Sequence, residues 1–161
     1  MNTKKIIPLI LLLLSALSVY SQRQDPVTQT LDQFGKQKGS VLVQLSQDVL
    51  SQGSNLTLYK SLIIDNIEDD KRRQVIDSLS ASLHRWLPLS EIRKKGTIES
   101  GSYYIASPSH KGVQYLLVKN SKKQLTVVYI QGDFAPGQLQ AELKKLKDLF
   151  IYINNKRIKI G

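Results

Sequence analysis

Residues 124–137, QLTVVYIQGDFAPG, decide the fold. Positions 125–130 are apolar except for Thr126 and rich in β-branched and aromatic side chains, which suits a strand covered on both faces. We read this run as the central strand. Gly132, Asp133, Pro136 and Gly137 then supply turn and helix-start chemistry, Pro136 standing where a missing N–H does no harm in a first helical turn. Beyond them Leu139, Leu143, Leu146, Phe150 and Ile153 alternate in spacings of four and three, an apolar stripe along one side of a helix. Such a helix needs a sheet face to lie on, and the strand before it provides one.

Working outward, 95–107, 112–119 and 124–131 read as three strands joined by short turn-like links, an antiparallel meander. Upstream, 68–87 reads as a long helix with Val75, Ile76, Leu79, Leu83, Trp86 and Leu87 on its core side, stopped by Pro88. Residues 40–45 and 56–67 are two further strands. Val27, Leu31 and Phe34 suggest one or two helical turns that dock Phe34 on the core. The alternation of basic and apolar residues over 156–160 fits a frayed tail or a small extra edge strand. The expected fold is α+β, an antiparallel sheet of four to five strands ending in a three-strand meander, with two amphipathic helices packed against it.

Lys4 and Lys5 precede an apolar run over 6–20 that is short for a membrane span and suited to a secretory signal. Cleavage after Ser21 would leave 22–161 as a single α+β domain with no transmembrane span, in the periplasm or outside the cell. A retained anchor is the alternative, and Pro8 with Ser15 and Ser18 weakens it. The chain has no cysteine. A lipid-anchored lipoprotein is therefore ruled out, and the core must stand without disulfides.

Charge is unevenly spread. Residues 22–84 carry seven Lys/Arg against eight Asp/Glu, whereas 85–161 carry fourteen against five. A solvated basic surface is the plainer account of this. The sharper one is a surface for anionic partners built from Arg93, Lys94, Lys95, Lys119, Lys122, Lys123, Lys144, Lys145, Lys156 and Arg157. On that reading the protein is an exported, non-catalytic interaction module that meets an acidic envelope protein or an anionic polymer. No oligomeric state is legible.

Catalytic chemistry is sparse. His84 has Ser80 and Asp77 on earlier turns, but seven residues at a 1.5 Å rise place Asp77 roughly 10 Å away along the helix axis, too far to orient the imidazole. His110 lies in an SPSHKG turn without an acidic partner to nominate. The rival function is a small envelope hydrolase using Asp133, Glu99 or His110. No cofactor is expected, since phosphate-loop and dinucleotide fingerprints are missing, and two histidines without cysteine make no arguable metal site. The acids at 65, 68, 69 and 70 lack the ligand spacing of a calcium loop and read as helix-start acids. Tyr103, Tyr104, Tyr115 and Tyr129 lie on strands near basic turns, the ingredients of a stacking sheet, yet strand tyrosines more often pack a core, and nucleic acid is disfavoured.

Phe34 with Gly39 before VLVQL, then LTLYKSLIIDNI, the helix over 69–86 and finally QLTVVYIQGDFAPGQL together resemble an uncharacterised family of small secreted domains of unknown function from Bacteroidota. The resemblance implies an export signal and an α+β domain without established activity. It brings no catalytic residues with it.

Overall fold

The computed structural model describes residues 25–45, 47–51, 53–106 and 112–153, with side chains as far as Leu146. The proposed signal segment, His110, Lys156, Arg157 and the 156–160 tail lie outside the described residues. Six strands form one antiparallel sheet in the order β1-β2-β6-β5-β4-β3: β1 Ser40–Leu45, β2 Leu56–Asp65, β3 Leu87–Lys94, β4 Thr97–Ala106, β5 Val113–Asn120 and β6 Gln124–Gly132. The α-helices among the described residues are α1 Pro26–Gly35, α2 Gln47–Leu50, α3 Asp69–Ser82 and α4 Leu139–Ile153. The sheet thus has six strands where four to five were expected, and four helices accompany it where two were.

β6 lies between β2 and β5 and pairs with both along its length. Its side chains alternate between two cores, as a pleated strand requires. Leu125, Val127 and Tyr129 meet α1 and α3 through Val27, Leu31 and Phe34 of the first and Val75, Ile76 and Leu79 of the second. Ile130 turns the other way, where Leu139 and Leu146 of α4, Phe134 and Leu50 pack with Tyr115 and Leu56. The doubly covered central strand expected from the sequence is therefore observed. Asp25 starts α1 by accepting the Val27 N–H at 2.8 Å, with Pro26 in the first turn. Lys60 of β2 reaches Asp32 of α1 at 2.6 Å, a largely buried ion pair that fixes the helix to the sheet.

Two boundaries differ from the sequence reading. The helix expected over 68–87 ends at Ser82, continues as one 3₁₀ turn over Leu83–Arg85 and gives way to extended backbone at Trp86. Pro88 is the cause: it disfavours helical backbone at Leu87, so the chain must be extended before it arrives. Trp86 then packs edge-on to Tyr129, 6.4 Å between ring centres. The strand expected over 95–107 is the second arm of a hairpin that the sequence reading missed. Lys95 and Gly96 have φ of 50° and 79° and form its two-residue turn, with Lys94 opposite Thr97. β3 escaped notice because all eight of its residues are exposed, so it carries no core pattern. Replacing Gly96 with alanine places a Cβ on left-handed backbone and should lower unfolding free energy by about 1 kcal/mol, read by urea titration.

Candidate functional site

In a meander every second turn falls at the same end of the sheet, so the β3–β4 and β5–β6 turns lie side by side. The N-terminal turn of α3 joins them, and Arg72 makes the connection. Its guanidinium donates to the Asn120 side chain and to the carbonyls of Ser121, Lys122 (2.8 Å) and Ile67 (3.3 Å), with Asp69 at 3.8 Å. Asn120 in turn donates to Ile98 O of β4 at 2.9 Å. Asn66, in left-handed backbone at φ 49°, donates its N–H to Lys123 O at 2.6 Å. Both hairpin tips are thus held by hydrogen bonds that leave their lysines outside.

Arg93, Lys94 and Lys95 occupy the first tip, and Lys119, Lys122 and Lys123 the second; all six are exposed. Lys71 and Arg73 of α3 stand at the same end. They belong to a half of the chain with almost no net charge, so the count by halves hid them, although the KRR run over 71–73 was visible. Between α3 and the first tip runs an open cleft of about 280 Å³ lined by Asp69, Arg72, Arg73 and Asp77 from the helix and Arg93 and Thr97 from the hairpin. Arg93 donates to both oxygens of Glu91 and to Gly96 O at 3.2 Å. These bonds, with one from the Tyr103 hydroxyl, hold the Glu91 carboxyl below its ordinary range. Burial, followed by the bond to Glu91, pushes the Tyr103 phenol up. Gly101 leaves the room in which the Tyr103 side chain lies, since a Cβ there would meet its hydroxyl at 2.5 Å and ring carbons at 2.6 and 2.7 Å. Glu91 thereby occupies Arg93. Among the described residues Arg73, Lys94, Lys95, Lys119, Lys122 and Lys123 form no hydrogen bond or ion pair through their side chains.

The structure does not bring Lys144 and Lys145 to this end. They lie on α4, whose Glu142 accepts from the backbone and side-chain amides of Asn55 at 2.9 Å each and from Lys145 at 2.7 Å. Asn55 leads into β2 where Leu56 pairs with Gly132, the opposite end of the sheet. Of the ten cations expected to form one surface, six converge, two are elsewhere, and Lys156 and Arg157 are outside the described residues.

The carboxylates of the hydrolase reading are separated. Glu99 is the extra residue of a bulge near the β3–β4 tip, since the partner of β3 steps from Ser100 to Ile98 between Ile92 and Arg93. Asp133 follows β6 at the far end, about eight residues of strand or roughly 25 Å away. His84 is exposed, its Nδ1 3.0 Å from Ala81 O. Among the described residues no group of three His, Cys, Asp or Glu side chains gathers into a metal-binding cluster. Tyr103, Tyr115 and Tyr129 are buried, Tyr115 stacked on Phe134 and pushed up to about 12 by burial, so three of the four strand tyrosines offer no exposed ring.

An antiparallel α+β sheet with helices on both faces and a cationic end is the class this architecture defines. Residues 14–146 match the Family of unknown function (DUF6108), and the chain belongs to that family. None of the curated proteins matches the chain. No helix among the described residues is long and apolar enough to cross a membrane.

Proposed function

We propose that this is an exported, non-catalytic interaction module of the cell envelope that holds an acidic protein or anionic polymer on the cationic end of its sheet. Export is inferred from Lys4, Lys5 and the apolar run that follows. The observation that carries the binding reading is the convergence of Lys94, Lys95, Lys119, Lys122, Lys123 and Arg73 on neighbouring elements, without carboxylate partners among the described residues. Cations fixed on braced turns lose little conformational freedom when they meet an anion, and an array of one sign attracts and orients it. Such contacts weaken as salt rises.

The test is the variant carrying Lys94→Glu, Lys95→Glu and Lys122→Glu. These side chains are exposed and form no hydrogen bond or ion pair among the described residues, so circular dichroism should match the unaltered protein. After in-cell crosslinking and recovery from the envelope, retention of the partner should fall about tenfold, and the residue of binding should respond weakly to salt. Equal retention with an unchanged salt response would contradict the proposal.

A further inference from the structure

We propose that β3 pairs with β3 of a second copy of this chain, antiparallel, about a two-fold axis through Ile92. Among the described residues β3 closes the sheet on one side, paired with β4 alone, and all eight of its residues are exposed, Ile92 at 58% and Leu87 at 55%. An edge of this kind is a template for another strand unless something blocks it. Here the blocks stand at its two ends. Pro88 has no N–H to donate, and a register shift between Pro88 and Ser90 makes Leu89 a bulge. At the other end the chain turns away at Lys95 and Gly96. The free window is Ser90 to Lys94, and Ile92 is its centre.

Charge selects the same register. A two-fold axis perpendicular to a sheet leaves each face on its own side, so residues placed opposite one another share a face and the axis passes through a residue. Centred on Glu91 it would set Glu91 against Glu91; centred on Arg93 or Lys94 it would oppose like cations; centred on Ser90 it would draw Pro88 into the ladder. Centred on Ile92 it sets Glu91 against Arg93 twice and Ser90 against Lys94 twice. Glu91 and Arg93 share the face that carries α1 and α3, where each copy already joins them, so the dimer closes a square of alternating charges. The two Ile92 side chains meet on the opposite face. The cationic tips of the copies then point in opposite directions, with Lys94, Lys95, Lys122 and Lys123 still at the ends.

Sedimentation of the purified protein over a concentration series tests this. The unaltered protein should form a species of two chains, and Glu91→Arg or Arg93→Glu should each raise the dissociation constant at least about tenfold, because two attractive cross-strand pairs become repulsive. Mixing those two variants should restore the two-chain species, since every opposed pair is then of opposite sign. Val41→Lys, on the β1 edge, should leave the dimer intact. A single chain at all concentrations, indifference to the Glu91 and Arg93 substitutions, failure of the mixture to recover, or loss of the dimer on Val41→Lys would each overturn the proposal.

Discussion

Replacing Arg72 with alanine is expected to remove about 3 kcal/mol of stability, enough to move the midpoint of a urea unfolding curve by more than 1 M at a slope of about 2 kcal/mol per M. One guanidinium joins the start of α3 to three oxygens of the β5–β6 turn and to Ile67, and its side chain is only 14% exposed. Alanine leaves the Asn120 amide and two turn carbonyls to water and removes the side chain that ties α3 to the turn. Lysine at 72 should recover less than half, because an ammonium cannot span acceptors arranged for a planar fork. If the proposed function holds, the loss should also weaken anion binding, because Lys122 and Lys123 ride on the turn that Arg72 braces, although Arg72 is itself occupied. A change below about 0.5 kcal/mol would show the brace to be unimportant.

Glu142→Ala should cost a similar amount, about 3 kcal/mol, by releasing α4 from the start of β2. The Glu142 side chain is 4% exposed and accepts three hydrogen bonds, two from Asn55 and one from Lys145. Burial acts to raise its pKa; the bonds from Asn55 and Lys145 outweigh burial and leave it below the ordinary value of 4.5. A carboxyl with a depressed folded-state pKa contributes stability that is complete above its unfolded value and is lost as pH falls through the folded one. The unaltered protein should therefore weaken below pH 4.5, while Glu142→Gln, already weaker at neutral pH, should show a flatter acid limb. Parallel acid limbs for the two proteins would show that Glu142 does not titrate in the anchor.

How much of this was legible follows from where the signals lie. β6 could be read because both faces of it are covered, which leaves an unbroken apolar run; α1 could be read from Val27, Leu31 and Phe34. β3 could not, since an edge strand with every residue exposed has no core face to print on the sequence, and its Leu-Pro start served equally well as a helix stop. Of the basic site, the cations of the two hairpin tips were found by charge alone. Their convergence needed the Lys95–Gly96 turn, which was hidden inside an expected strand. Lys71 and Arg73 were masked by neighbouring acids that neutralise them only on paper: Asp69 lies near Arg72, and Asp65 accepts from Gln124. Asn55 and Glu142 are 87 positions apart, and nothing local in either stretch announces that they meet.

The central claim is that position, and not net charge, makes the sheet end a receptor for anions. Lys122→Glu and Lys144→Glu change net charge identically, the first at the tip of the β5–β6 hairpin and the second on the exposed side of α4 near the opposite end. The most direct measurement is a titration of the unaltered protein and these two variants with poly-glutamate at low and at moderate salt. Lys122→Glu should weaken binding several-fold and flatten its salt dependence, while Lys144→Glu should bind nearly as the unaltered protein does. Equal losses in the two variants would mean that the anion senses only the overall charge, and the assignment of the site to the sheet end would fail.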